Sequence, residues 1–222
     1  MTDFTTVKEI NILGYSGMYL ALIFETLHSL QYQGKVSIYK NDGEKRSEAP
    51  FESGINYQVF DVRDLKAFPD SGFAFCSNKP STKTFLMEFF VKKWNLKKDN
   101  FTSIIHPSSV IASTAIINPG FYMEPLSVIS SYCEIGFGVT VNRNCSIGHH
   151  TKIHDFCSVH PGANLAGNIR LGEGVTIGSG TTVFNHVKIG KNSIIGGGSV
   201  VTKDIPDNVL AFGNPCKVIK EF

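Results

Sequence analysis

The chain has 222 residues, of which 42% are hydrophobic and only 18% charged, and its formal net charge is +2. This length accommodates one large domain or two small ones with a real core. The composition excludes a disordered chain, and the balanced charge excludes a basic surface built for nucleic acid or an acidic membrane. The first ten residues lack the basic-then-apolar layout of a leader, and no apolar run approaches the roughly 18 residues of a membrane span, so the expectation is a cytoplasmic protein with no membrane insertion. Five cysteines, an odd number in no metal-type spacing, read as reduced thiols.

Charge density divides the chain near His106 and Pro107. Residues 1–105 hold 13 Lys/Arg and 12 Asp/Glu, whereas 106–222 hold 8 and 7. In the first part, residues 9–13 read as a strand, 17–30 as a helix with apolar spacing, and 35–39 as a second strand, with further strands over 56–60 and 72–76. Ser81 reads as the N-cap of a long helix over 82–96. Strands alternating with helices imply a small α/β domain of Rossmann-like type.

From residue 106 the pattern changes. Every sixth residue from Ile111 to Val201 is aliphatic, sixteen in a row without a slip. The positions two earlier are small or β-branched, among them Ala115, Cys133, Val139, Cys145, Thr151, Cys157 and Ala163. Positions i and i−2 share one face of a strand, so each hexad is a short strand with one small and one large residue pointing inward. Gly136, Gly148, Gly172, Gly178, Gly190 and Gly196, each just after the large residue, are expected to make the corners. A period of six is a parallel β-helix, and three hexads per coil place residues eighteen apart above one another. The cysteines at 133, 145 and 157 then face inward as small hydrophobes.

The segment from Gly148 through His149, His150, Asp155, Ser158, His160 and Gly167 to Asn168 resembles the active-site coils of left-handed β-helix acyltransferases. In particular it is similar to the sialic acid O-acetyltransferases and bacillosamine-type nucleotide-aminosugar N-acetyltransferases, which also begin with a small Rossmann-like domain. Further marks are Gly14-Tyr15-Ser16-Gly17 after the first strand, Ile105-His106-Pro107-Ser108 at the start of the repeats, and Val201-Thr202-Lys203-Asp204-Ile205-Pro206 with Gly213-Asn214-Pro215-Cys216-Lys217 at the end. The resemblance implies a nucleotide-sugar-binding domain over 1–105, a left-handed β-helix acyltransferase domain over 106–222, and a homotrimer with three active sites between neighbours. The implied reaction is acetyl transfer from acetyl-CoA, without a metal, to the amino group of a dTDP- or UDP-linked amino-deoxy sugar made for a surface glycan. The alternative is O-acetylation of the sialic acid type.

Carried over by position, the family's catalytic base falls on His149, whose neutral imidazole suits proton removal near neutral pH. Gly167, eighteen residues on, is expected to donate its N–H to the thioester carbonyl. Ser179 and Gly197 match backbone positions along the pantetheine arm, Lys217 is assigned to a CoA phosphate, and a second family histidine falls on Ser158, which leaves its role to the serine hydroxyl, to nearby His160 or to nothing. In the first domain Gly14, Tyr15, Ser16 and Gly17 present N–H groups at a helix N-terminus, where a phosphate or sugar oxygen is welcome; a tight turn with close packing is the plainer reading. Asp42 reads as a ribose or base acceptor or as a solvated loop carboxylate, and Asn78 as a nucleotide-sugar contact or a helix-entry residue. The family often flanks its base with an acid, but here the neighbours are Gly148 and His150, so the sequence names nothing that orients the ring.

Two other classes compete. His149 and His154 have the spacing of two zinc ligands in gamma-class carbonic anhydrases, but Ser113 stands where the third ligand would be. A non-catalytic trimeric module is the other, in which a corner histidine is only polar decoration.

Overall fold

The computed structural model describes residues 7–40, 54–64 and 72–222. Asp42 lies outside the described residues.

Four parallel strands, β1 (Glu9–Leu13), β2 (Lys35–Lys40), β3 (Tyr57–Asp61) and β4 (Phe73–Phe75), form a sheet in the order β3-β2-β1-β4. Ile10, Asn11, Ile12 and Leu13 of β1 are all fully buried, as in a parallel sheet covered on both faces. Helix α1 (Gly17–Ser29) follows β1, and α2 (Pro80–Trp94) follows β4. The chain leaves β1 toward β2 on one side and returns to β4 on the other, so the carboxyl ends of β1 and β4 flank a topological switch point. The second helix starts earlier than Ser81 predicts: Lys79 is its N-cap and Pro80 opens it, since the first turn needs no N–H from proline. It closes on Asn95, left-handed at φ 55°, whose N–H donates to Val91 O at 2.8 Å.

From Ile104 onward the chain winds a left-handed parallel β-helix of two-residue strands. Each strand pairs in parallel with the one eighteen residues on, as Ser146 and Ile147 do with Asn164 and Leu165. Three faces result. The first runs from Ile104–Ile105 through Ser158–Val159 to Ile194–Ile195 and is extended to eight strands by Val209–Phe212 and Lys217–Glu221. The second runs in six strands from Val110–Ile111 to Val200–Val201, and the third in five from Ile116–Ile117 to Lys188–Ile189. The aliphatic and small columns of the hexads fill the interior; Cys133, Cys145 and Cys157 lie among them, each donating its thiol to a carbonyl fifteen residues on (Gly148, His160 and Gly172). Burial pushes the Cys145 and Cys157 thiols up to about 11 and about 12.

The corner glycines need a correction. The left-handed corner position is the third residue after the large one, held by Leu126, Tyr132, Gly138, Asn144, His150, Phe156, Gly162 and Asn168 in succession. The glycines just after the large residue answer a different demand, which is contact between coils. A Cβ on Gly148 would stand 2.5 Å from Ala166 C, and one on Gly172 2.6 Å from Lys191 N.

The α/β domain sits on the first face. Thr26 Oγ1 of α1 meets Tyr122 Oη at 3.2 Å, and the Ser158 hydroxyl donates to Asn78 O. Lys83 of α2, 1% exposed, donates from Nζ to Gly138 O at 2.7 Å and Thr140 Oγ1 at 2.6 Å, and burial pushes its pKa down to about 7. Along the edge between the third and first faces, Phe75, Phe101, Phe137 and Phe156 pack ring on ring, and Lys98 pairs with Asp155 at 2.5 Å. His106 ties the first coil to α1: its Nε2 lies 3.0 Å from Ser29 Oγ, and its Nδ1 accepts from Ser108 N at 3.1 Å. Among the described residues no helix is long and apolar enough to cross a membrane.

Candidate active site

The sites expected from sequence fall in three places. At the switch point, Gly14 has φ 92° and its N–H donates to Tyr39 O at 3.0 Å, so its glycine is explained by the turn itself. Ser16 is the extended N-cap of α1 and makes no side-chain capping bond, while its carbonyl accepts from Tyr19 N at 3.0 Å and Leu20 N at 2.8 Å; Gly17 opens the helix. Tyr15 carries Lys40 Nζ over its ring at 4.6 Å. Cys76 Sγ, 3.7 Å from Ser16 O, joins this loop to the segment carrying Asn78. Gly14, Tyr15, Ser16, Gly17 and Asn78 are therefore neighbours, seated on the first face.

Beneath them is a polar group that the sequence did not single out. Buried Glu124 accepts from Asn142 Nδ2 at 2.6 Å and from Arg143 N at 3.1 Å. His160 is half-buried close by, its pKa lowered by burial first, with Glu124 raising it and Lys83 lowering it. Ser158 is fully buried and its hydroxyl donates to Asn78 O, so it fastens the two domains.

The second place is the corner between the first and second faces, where Ser179 and Gly197 stack one coil apart, both exposed. Gly198 N donates to Ser179 O at 2.8 Å, and a Cβ on Gly197 would stand 3.1 Å from the same oxygen. Lys217 is exposed at the start of the last strand.

The third place is the corner between the second and third faces, which holds His149 and Gly167. His149 is exposed, and Gly167, buried one coil above, lies against its ring: a Cβ there would stand 2.6 Å from Cε1 and 2.7 Å from Nε2. Gly167 thus gives the imidazole room. Its amide, expected to donate to a thioester carbonyl, donates in this structure to Asn185 Oδ1 at 2.7 Å. Asn185 is the next residue of the eighteen-residue column, so the repeat itself would have found it. His149 Nδ1 lies 3.1 Å from His150 Nδ1, a contact the sequence reading missed. His154 lies at the following corner, and among the described residues no group of three or more His, Cys, Asp or Glu is placed to hold a metal.

A triangular prism places the edge between its second and third faces opposite its first. His149 and the loops carrying Ser16 and Asn78 therefore lie on opposite sides of one chain.

The family described as Bacterial transferase hexapeptide (six repeats) matches residues 150–185 and 168–203. The galactoside O-acetyltransferase of Escherichia coli (strain K12) is 32% identical over 200 residues, which is 89% of this chain and 81% of that protein. Among solved structures, the acetyltransferase domain of PglB from Neisseria gonorrhoeae FA1090 in complex with acetyl coenzyme A superposes with a TM-score of 0.82 at 22% identity, over 96% of this chain and 99% of that one. PerB from Caulobacter crescentus, in complex with CoA and GDP-perosamine, gives a TM-score of 0.78 at 22% identity, over 97% and 99%. Sequence identity along both domains, the hexapeptide coils and the shared two-domain fold agree: the chain belongs to the hexapeptide-repeat acetyltransferases.

Proposed function

We propose that this protein transfers an acetyl group from acetyl-CoA to the amino group of a nucleotide-linked amino-deoxy sugar destined for a surface glycan. The observation that carries the reading is the exposed imidazole of His149, given room by Gly167 in the next coil, in a chain of this family. Support for the acceptor comes from the likeness of both domains to PerB, whose structure holds CoA and GDP-perosamine. In this reading residues 1–105 bind the nucleotide-sugar through Gly14, Tyr15, Ser16, Gly17 and Asn78. Ser179 and Gly197 flank the pantetheine arm, Lys217 meets a CoA phosphate, and the α/β domain of one subunit serves the His149 corner of its neighbour in a homotrimer.

The reaction balances without a metal. The acceptor nitrogen attacks the thioester carbonyl while its proton passes to Nε2 of His149. The C–S bond breaks, and the thiolate takes that proton from the imidazolium and leaves as CoA thiol. A general base of this kind contributes roughly 10²- to 10⁴-fold.

The test is thiol release from acetyl-CoA with a panel of UDP-, dTDP- and GDP-linked amino sugars. One acceptor should turn over, and His149→Ala should lower kcat by about 100-fold or more with the oligomer mass unchanged. Full turnover in His149→Ala would remove the base from the reading. A second reading, O-acetylation, is favoured by the 32% identical galactoside O-acetyltransferase; its product is an alkali-labile ester where the first reading gives a stable amide.

A further inference from the structure

His149 Nδ1 and His150 Nδ1 are 3.1 Å apart, with their ring planes at 86°. At that distance one nitrogen carries a hydrogen and the other offers a lone pair, since two lone pairs or two hydrogens would repel. The second ring is fixed from several sides. His150 sits at φ 58°, its N–H donates to Ser131 O at 3.0 Å, and its ring lies on Tyr132 with centroids 5.0 Å apart. The His149 carbonyl in turn accepts from Asn168 N at 2.8 Å, which pins the corner to the coil above.

We propose that His150 is a positioning residue that holds His149 as the Nδ1–H tautomer by accepting that hydrogen at its own Nδ1, leaving the Nε2 lone pair of His149 for the acceptor's proton. The proposal rests on the reading of His149 as base. A histidine in this place works only while neutral. Once protonated, His150 has no lone pair to offer; its Nδ1–H then donates into His149 Nδ1, and the remaining proton of His149 moves to Nε2, where it blocks the base. A proton on either imidazole therefore removes the base. The groups around His150 leave this sign unchanged: Tyr132 from the coil below and neutral Asn168 from the coil above. The Lys152–Glu134 pair on the adjoining face is closed on itself at 2.6 Å, and His186 stands two coils up the same column.

The test uses the full-length protein with ¹⁵N-labelled histidine, and reads each ring's tautomer by long-range nitrogen–proton NMR in the unmodified protein and in His150→Gly and His150→Asn. Glycine takes φ 58° without steric cost, so the fold survives loss of the ring, while asparagine tolerates the same backbone and restores an acceptor oxygen. The expected result is Nδ1–H on His149 in the unmodified protein, its loss in the glycine variant and its return in the asparagine variant. With acetyl-CoA and the acceptor that turns over, His150→Gly should lower kcat about tenfold or more at unchanged KM for acetyl-CoA. His150→Asn should recover most of kcat. A hydrogen found on Nε2 of His149 in the unmodified protein would overturn the proposal, and so would a glycine variant with unchanged tautomer and kcat. The NMR arm needs no turnover, so a protein silent across the acceptor panel would defeat the proposed function while leaving the pairing separately decided.

Discussion

Lys83 shows how the docking of two domains changes the chemistry of a single side chain. Its Nζ is held by two neutral oxygens, Gly138 O and Thr140 Oγ1, and burial lowers its pKa from 10.5 to about 7. Between those two values the unfolded chain binds one proton more than the folded one, so stability rises with pH through that window and is lost as pH falls toward 7. Buried Cys145 and Cys157 act in the opposite sense above the ordinary thiol value of 9.0, because the unfolded thiols ionise there and the folded ones do not. The clean interval is therefore about pH 7.5 to 8.5, where one proton corresponds to about 1.4 kcal/mol per pH unit. Thermal unfolding at fixed protein concentration should show the midpoint rising across that interval, and Lys83→Met should flatten the rise; an equal slope in both proteins would show that Lys83 is charged in the fold. Nothing in the sequence separates Lys83 from its neighbours Lys79 and Lys93, because its burial is made by coils more than fifty residues away. His149, by contrast, was legible through the motif around it, and Asn185 was within reach of the eighteen-residue register.

At the scale of the element, the hexad was legible because each coil buries its side chains in the same two columns, so the interior repeats as regularly as the backbone does. What each corner glycine is for was not legible, since sequence shows the missing side chain and not the atom that would strike it. The structure separates two demands, and they predict different costs. At Gly172 the backbone of the next coil is in the way, with Lys191 N at 2.6 Å and Gly190 C at 3.1 Å from an added Cβ. Gly172→Ala must therefore push two coils apart and should cost about 1–3 kcal/mol. At Gly162, φ is 73° and the nearest atom is 3.8 Å away, so only the left-handed backbone is at issue. The equivalent position one coil below is already Asn144 at φ 57°. Gly162→Asn should cost less than about 1 kcal/mol, because asparagine is among the residues that tolerate this region. Chemical denaturation of both variants at one protein concentration checks the order, and a costlier Gly162→Asn would mean that strain outweighs contact at these corners. Leu126, Tyr132 and Phe156 in the same left-handed column show that the coil imposes this φ whatever the side chain.

For the whole molecule, the opposite placement of His149 and the nucleotide loops turns the proposed chemistry into a statement about assembly. If an acceptor held near Ser16 and Asn78 is to reach a His149 imidazole, that imidazole belongs to another subunit, and a closed ring of three gives three equivalent sites. Light scattering should then report about three times the 24.4 kDa chain mass. A sharper check separates the two halves of the site. His149→Ala removes the base and leaves the nucleotide loops intact. Ser16→Asp leaves the base intact and keeps a good N-cap for α1, while its carboxylate repels a diphosphate from the helix N-terminus. Each homotrimer should be nearly silent below the KM of the acceptor. When the two chains are coexpressed in equal amounts and mix at random, a site is whole when its base comes from one variant and its loops from the other. Each interface meets that condition with a chance of one half times one half, so about a quarter of the unmodified activity should return. If each chain carried its own complete site, mixing would restore nothing, since every chain would still hold one damaged half. Recovery near a quarter would therefore place the base and the nucleotide loops of each working site on different chains.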